Sequence, residues 1–211
     1  MKKAVIFDMD GVLIQSEILY QQRRAAFFSE HNLPLDDDFQ HKVIGSNPKD
    51  MFTLLFPDST EKRNLYLTKY QLFKEEFTID YKQILTEDVE EVLKWLKDHQ
   101  FKIALASSGE YSILLDILAK TDLTPYFNVV VSGADMKHSK PAPDVYLEAI
   151  KQLGYHPDDC VAIEDSTHGI NAAVAAGIDC LALKPTEFDI DQRLATKIIL
   201  SLNDIPSWLS S

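Results

Sequence analysis

The chain has 211 residues, of which 45% are hydrophobic and 26% charged, and its formal net charge is −12. This composition supports a substantial buried core, in one domain or in one domain with a small insertion. The acidic balance argues against nucleic acid or anionic membrane partners, although a local cation would still admit a small anionic substrate. The short apolar start meets Asp8 at once and no run reaches membrane-spanning length, so we expect a cytoplasmic protein.

Short apolar runs with the pattern of strands buried on both faces recur along the chain, at 4–7, 102–106, 127–132, 160–163, 180–183 and 197–200. Helical periodicity lies between the later runs, over 89–98, 112–118, 145–153 and 170–176. Strands that alternate with helices predict an α/β fold, a Rossmann-like parallel sheet flanked by helices. Cys160 and Cys180 lie inside two of these runs, and we expect reduced, buried core thiols there.

The alternation fails between about residues 15 and 81, where no run resembles a parallel strand. Helical periodicity covers 17–31, 48–55 and 61–77 instead, with breaks at 32–34, 45–48 and 57–58. The acidic run at 36–38 fits a solvated loop or a helix start, not a metal site. We therefore predict a helical cap domain at 15–81, inserted into a core domain formed by 1–14 and 82–211.

Asp8 and Asp10 follow the first predicted strand directly and lie two residues apart. In an extended segment this spacing places both carboxylates on one side, and Gly11 permits a sharp turn just after them. Open α/β sheets bind ligands beyond the carboxyl ends of their strands. The pair alone is a common pattern, and two solvated aspartates at a strand end explain it equally well.

Polar groups also follow the next predicted strands. Ser107, Ser108 and Gly109 combine hydroxyls with backbone N–H groups at a helix start, and such donors bind phosphate oxygens. Lys140 precedes a Pro-Ala-Pro turn whose rigidity would fix the direction of the ammonium. A serine helix cap and a surface lysine are the ordinary explanations of these two segments.

Glu164 and Asp165 follow the apolar run at 160–163 and add two further carboxylates. An acidic first helical turn would explain them by itself. However, four strand ends that carry complementary chemistry at one edge of one sheet are improbable as a coincidence of four independent features. Together they predict a site that contains a nucleophile, phosphate donors, a cation and metal-binding carboxylates.

Four segments carry a family resemblance, at 8–12 (Asp-Met-Asp-Gly-Val), 106–108 (Ala-Ser-Ser), 139–144 (Ser-Lys-Pro-Ala-Pro-Asp) and 164–169 (Glu-Asp-Ser-x-x-Gly). With them the chain resembles the haloacid dehalogenase-like (HAD) superfamily. Within it, the sequence is similar to the phosphatases and β-phosphoglucomutases that carry a helical cap. The matching segments span most of the predicted core domain in the family's order.

The resemblance implies that Asp8 is the nucleophile that forms an aspartyl-phosphate, and that Asp10 is first the general acid and then the general base. Mg²⁺ would be bound by Asp8, by the main-chain carbonyl of Asp10 and by Asp165, with Glu164 as a further ligand or as support. Magnesium suits such oxygen ligands, and the sequence offers no Cys/His cluster that would favour zinc.

The resemblance further implies that Ser107 hydrogen-bonds the phosphoryl group, with backbone help from Ser108 or Gly109, while Lys140 holds the phosphate and the nucleophile together. Positioning and charge neutralisation of this kind are what phosphoryl transfer requires. We expect the substrate between core and cap. Further candidates for substrate contacts lie on the first cap helix: Tyr20, Arg23 and Arg24.

The aspartate at position 10 separates the family's phosphatases and mutases from its dehalogenases. A β-phosphoglucomutase would carry a histidine shortly after Ser-Glu at 16–17 and a basic pair around the cap glycine. Here Ile-Leu-Tyr follows at 18–20, only Lys42 and Lys49 are basic near Gly45, and Gln15 replaces the usual aspartate. We therefore predict a Mg²⁺-dependent phosphatase of a small phosphorylated metabolite, such as a sugar phosphate, acting as a monomer or small homo-oligomer. A phosphomutase and a non-catalytic phosphometabolite sensor are the alternatives.

Overall fold

The computed structural model describes residues 2–43, 48–77, 79–134, 136–185 and 190–210. The chain forms two compact units, Met1–Gln15 with Tyr81–Ser211 and Ser16–Asp80. Across the described ranges, no helix is both long enough and apolar enough to cross a membrane. Residues 44–47, which include the Gly45 used above to weigh the mutase alternative, lie outside these ranges.

The larger unit is built on a parallel sheet with strands β1 (Ala4–Phe7), β2 (Lys102–Ser107), β3 (Val129–Ser132), β4 (Cys160–Glu164), β5 (Asp179–Leu183) and β6 (Lys197–Ile199). Their spatial order is β3-β2-β1-β4-β5-β6. Phe7 aligns with Leu105 on β2 and with Ile163 on β4, so the carboxyl ends of the three central strands lie side by side. The predicted α/β fold with a parallel sheet is confirmed.

The smaller unit is helical and consists of α1 (Ser16–Glu30), α2 (Asp37–Val43), α3 (Pro48–Leu55) and α4 (Thr60–Glu76). Its core is aromatic, because Phe27, Phe28 and Phe52 are fully buried and the ring of Phe27 lies 4.9 Å from that of Tyr70. Such ring pairs add to the stabilisation that burial of apolar area provides. The acidic run at 36–38 begins α2, which is one of the two alternatives that the sequence left open.

Helices cover both faces of the sheet: α5 (Val89–Asp98), α6 (Tyr111–Lys120), α7 (Asp144–Leu153), α8 (Thr167–Ala175) and α9 (Asp204–Leu209). Successive side chains of a strand point to opposite faces. Val5 and Phe7 therefore enter a core with α5, α6 and α9, whereas Ala4 and Ile6 enter a second core with α7 and α8. Burial on both faces explains why β1 is an unbroken apolar run.

Cys160 and Cys180 are buried on β4 and β5 as free thiols. Burial raises the pKa of the Cys160 thiol to about 11, and burial likewise raises that of Cys180. Both groups are therefore neutral at physiological pH and pack as small apolar side chains.

Candidate active site

Asp8 lies directly beyond β1, at the centre of the sheet's carboxyl edge. Its backbone N–H donates to the carbonyl of Ile163 at 3.0 Å, which continues the pairing with β4 by one residue. Its side chain is almost buried. The chain then turns at Gly11, whose φ is +73° and whose N–H donates to the carbonyl of Ile14 at 2.8 Å. The tight turn keeps this segment at the edge of the sheet.

The ammonium group of Lys140 contacts Asp8, which follows β1, and one residue each on β2 and β4. Nζ donates to Asp8 Oδ1 at 2.8 Å, to Glu164 Oε1 at 2.7 Å and to the carbonyl of Ala106 at 3.0 Å. Its side chain is only 8% exposed, so both ion pairs lie where the effective dielectric constant is low. Burial alone would lower the pKa of Lys140, but the two carboxylates outweigh it and raise that pKa above its ordinary value. The amine therefore stays charged.

Glu164 is fully buried, and each of its oxygens accepts two hydrogen bonds. Oε1 accepts from Lys140 Nζ and, at 2.6 Å, from the hydroxyl of Tyr146. Oε2 accepts from the backbone N–H of Asp165 and from the hydroxyl of Ser166, each at 3.2 Å. An isolated buried carboxylate would be very costly, and these four donors remove that cost. They also fix the position of the carboxylate.

Two glycines leave room for the carboxylates. A Cβ at Gly169 would lie 1.9 Å from Glu164 Cδ, and one at Gly11 would lie 1.8 Å from Asp165 Oδ2. Ser166 is the N-cap of α8, and its hydroxyl accepts a hydrogen bond from the N–H of Gly169 at 3.0 Å. Each fixed position of the segment Glu-Asp-Ser-x-x-Gly therefore has a structural role. The first two residues supply the carboxylates, Ser166 caps α8, and Gly169 leaves space for the Glu164 side chain.

Three carboxylates form a compact cluster, since ligand oxygens of Asp8, Glu164 and Asp165 all lie within 4.8 Å of one another. Burial raises the pKa of Asp8 to about 7, with repulsion from Glu164 and Asp10 adding to the effect of burial and Lys140 opposing it. Burial, followed by the charge of Asp8, raises the pKa of Asp165 to about 8. A divalent cation would relieve this repulsion, and an all-carboxylate set fits a hard, oxygen-binding ion. The cluster could therefore hold a metal ion.

The predicted phosphate donors lie at the carboxyl end of β2, beside β1. Ser107 is buried, and its Oγ accepts a hydrogen bond from the N–H of Gly109 at 3.1 Å. Ser132 on β3 donates its hydroxyl to the carbonyl of Gly109 at 2.6 Å, which braces the turn from the other side. The loop is thus a short, fixed turn in which the exposed Ser108 lies between Gly109 and the buried Ser107.

Asp10 is half-buried, and its carboxylate is not one of the three in the cluster. Its charge nevertheless contributes to the raised pKa values of Asp8 and Asp165, which places it in their electrostatic surroundings. Its backbone pairs with that of Ile14 across the Gly11 turn. The structure therefore brings Asp8, Lys140 and the Glu-Asp pair at 164–165 into direct contact, with Asp10 beside them.

Sequence reasoning missed the hydroxyl of Tyr146. This residue is fully buried on α7, and the Lys140 ammonium lies 5.0 Å from its ring centroid. Burial, and then the negative charge of Glu164, raises the pKa of Tyr146 well above its ordinary value, so the hydroxyl remains a donor. A tyrosine two residues after Asp144, on the helix that the lysine segment begins, was the available signal.

Comparison with known proteins identifies the family to which the chain is similar. A family model described as haloacid dehalogenase-like hydrolase matches residues 5–183. A phosphorylated carbohydrates phosphatase of Thermotoga maritima is 33% identical over 179 residues, covering 84% of this chain and 82% of the relative. A β-phosphoglucomutase of Bacillus subtilis is 29% identical over 185 residues, covering 83% and 80%.

A solved structure of a conserved haloacid dehalogenase-like protein from Agrobacterium tumefaciens superposes with a TM-score of 0.79. It is 25% identical and covers 100% of this chain and 98% of that one. The resemblance inferred from the four sequence segments is confirmed by both kinds of comparison. The chain therefore belongs to the haloacid dehalogenase-like hydrolase family.

Proposed function

We propose that the protein is a Mg²⁺-dependent phosphatase that hydrolyses a small phosphorylated metabolite, such as a sugar phosphate, through an aspartyl-phosphate on Asp8. The observation that carries this proposal is the buried ion-pair network in which Lys140 holds Asp8 and Glu164 beside Asp165. The phosphatase relative from Thermotoga maritima supports the class of substrate.

In the first step, the Asp8 carboxylate attacks phosphorus, the bond from phosphorus to the ester oxygen breaks, and an acyl phosphate forms. Asp10 gives a proton to the leaving alcohol. In the second step Asp10 takes a proton from water as the water oxygen attacks the same phosphorus, which releases inorganic phosphate and restores Asp8. Lys140 neutralises charge on Asp8 and on the transferred group, while Ser107 and its turn orient the phosphoryl oxygens.

Mg²⁺ would be held by the Asp8 and Asp165 carboxylates and the main-chain carbonyl of Asp10, and when bound it would neutralise charge on the phosphoryl group. We assign Glu164 a positioning role, because its oxygens already accept four hydrogen bonds. It holds Lys140 against Asp8 and orients the backbone of Asp165.

The test is phosphate release from a panel of sugar, polyol and nucleoside monophosphates with Mg²⁺, for the wild type and for Asp8→Asn. Removal of the nucleophile should lower turnover on the order of 10³-fold or more. Asp116→Asn is the matched control, because Asp116 pairs with Lys120 on the surface of α6. Full turnover in Asp8→Asn, or no release from any ester by the wild type, would contradict the proposal.

The similarity to a β-phosphoglucomutase favours intramolecular phosphomutation as the second candidate. Both activities share the aspartyl-phosphate and differ in what accepts the phosphoryl group. Product analysis with β-glucose 1-phosphate separates them, since a phosphatase yields inorganic phosphate and glucose whereas a mutase yields glucose 6-phosphate. We expect inorganic phosphate, and a predominance of the isomerised sugar phosphate would assign the mutase activity instead.

A further inference from the structure

Two consecutive arginines of α1 are buried in the helical unit. Arg23 is 6% exposed and Arg24 is 4% exposed, although both belong to a residue type that is almost never fully buried without a charged partner. The Nε atoms of both side chains are buried and have no hydrogen-bond acceptor. A buried donor that is left unpaired is unfavourable, so each of these atoms calls for an explanation.

The neighbours of the two guanidinium groups fix them without neutralising them. The guanidinium carbon of Arg23 lies 5.6 Å from the ring centroid of Tyr20 and 5.7 Å from that of Phe77. Nη2 of Arg24 lies 3.3 Å from Glu17 Oε1, which is longer than the 2.7–2.9 Å usual for a charged pair. The two aromatic rings orient the guanidinium plane of Arg23. The long contact with Glu17 neutralises only part of the positive charge of Arg24.

The balance of charge in this cluster is positive. Among the residues that the structure describes, Glu17 is the one carboxylate that forms an ion pair with either arginine. Tyr70 on α4 also lies in their field: burial raises its pKa, and the charges of Arg23 and Arg24 oppose that rise. A tyrosine with a raised pKa is neutral at physiological pH. Within the described part of the helical unit, two buried cations therefore have one ion-pair partner between them, the Glu17 carboxylate.

We propose that Arg23 and Arg24 form a binding site on the helical unit for a phosphate or carboxylate group. The planar guanidinium fork matches such anions with two parallel hydrogen bonds, and the buried Nε atoms are donors that lack an acceptor. Because the rings of Tyr20 and Phe77 already restrain Arg23, little side-chain freedom is lost on binding. The anionic group is supplied either by the substrate, as a second charged group apart from the hydrolysed ester, or by a free anion.

The site can be observed directly, because the chain contains four arginines: Arg23, Arg24, Arg63 and Arg193. Their Nε–Hε groups give four signals in a ¹⁵N correlation spectrum, which single Arg→Gln variants assign. Sodium sulfate and sodium phosphate are titrated in turn at constant ionic strength, with sodium chloride as the compensating salt. We expect saturable shifts of the Arg23 and Arg24 signals, and Arg23→Gln should weaken the anion affinity by about tenfold.

Arg63 is the matched control, because its Nε is also buried without an acceptor but its Nη2 donates to the Thr60 hydroxyl at 3.0 Å. Its signal should stay in place, and Arg63→Gln should leave the affinity unchanged. The same titration in Lys140→Met should retain the shifts. Equal movement of all four signals, the absence of any saturable shift, or loss of the shifts in Lys140→Met would overturn the proposal.

Steady-state kinetics then identify the source of the anion. Only these kinetic measurements rest on the proposed phosphatase function. Glucose 6-phosphate is compared with glucose 1,6-bisphosphate and 6-phosphogluconate. If the substrate supplies the anion, Arg23→Gln lowers kcat/KM for the two doubly anionic esters about tenfold and for glucose 6-phosphate less than twofold. If a free anion binds, sulfate changes the wild-type rate with glucose 6-phosphate but not the Arg23→Gln rate. If the titration saturates but neither kinetic difference exists, the bound anion is an adventitious ion only and the proposal is overturned. A failure of catalysis itself would leave the spectroscopic result standing.

Discussion

The substitution Gly11→Ala tests whether the position of the Asp165 carboxylate controls activity. A Cβ at Gly11 would lie 1.8 Å from Asp165 Oδ2, and the φ of this glycine is +73°. Gly154 at the end of α7 is a matched control, since it has the same φ of +73° but nothing within 4 Å of its Cβ position. The two variants share the backbone strain and differ in the collision.

The positive φ should cost each variant about 1–2 kcal/mol in the free energy of unfolding, because an L-residue is disfavoured there. Only Gly11→Ala also requires the Asp165 carboxylate to move. The distance from the new Cβ to Asp165 Oδ2 must increase by about 1.6 Å, from 1.8 Å to the 3.4 Å of ordinary van der Waals contact. A misplacement on the order of 1 Å in a catalytic site costs about 10²-fold in rate. We therefore expect a similar loss of stability in both variants and a large loss of activity in one.

Urea unfolding measures the stability of both variants, and phosphate release at a series of Mg²⁺ concentrations measures kcat and the metal requirement. Gly154→Ala should retain wild-type kinetics. Gly11→Ala should have a kcat about 10²-fold lower, a higher Mg²⁺ requirement, or both. Equal activity of the two variants would refute the reasoning, because it would show that the Asp165 carboxylate can move without consequence.

Two further predictions concern the same network. Tyr146→Phe keeps the ring and removes one hydrogen bond to Glu164, so kcat should fall about tenfold while KM changes less than twofold. The control variant Tyr155→Phe should keep wild-type kinetics. A loss of stability without a loss of kcat would contradict the positioning role of Tyr146. Burial and neighbouring carboxylates raise the pKa of Asp8 from 3.8 to about 7 and that of Asp165 from 3.8 to about 8. Between about pH 4 and 8 the native state therefore binds more protons than the unfolded chain. The unfolding free energy in EDTA should therefore fall as pH rises through this range, and Mg²⁺ should lessen the decline; a flat profile in EDTA would contradict the assignment.

The sheet could be predicted because each strand is buried on both faces and so appears in the sequence as a short apolar run. The exceptions have local causes. Strand β3 begins at Val129 instead of 127, since the side chain of Asn128 accepts a hydrogen bond from the N–H of Ile103 at 2.9 Å outside the ladder. Helix α9 was not predicted, because six residues that include Pro206 are too few to show helical periodicity.

The grouping of polar residues beyond β1, β2 and β4 followed from the topology, since parallel strands present their carboxyl ends at one edge. The sequence could not provide the direction of individual side chains. Whether Glu164 is a metal ligand or a support depends on its four donors, and one of these comes from Tyr146 on another element. The position of Tyr146 fits an ordinary core residue of α7, and only the packing of α7 on the sheet reveals its hydroxyl as part of the network.

The central position of β1 has a consequence for the order in which the protein is made. Ala4 pairs with Lys102 and with Cys160, so during synthesis β1 emerges from the ribosome about 100 residues before its first sheet partner and about 160 before its second. The whole helical unit, Ser16–Asp80, is synthesised within that interval. Lys140 and Glu164, which contact Asp8 or its lysine, are translated late. A nascent chain therefore contains Asp8 before Lys140 and Glu164 have been added, and the ion-pair network forms only when the sheet closes around β1.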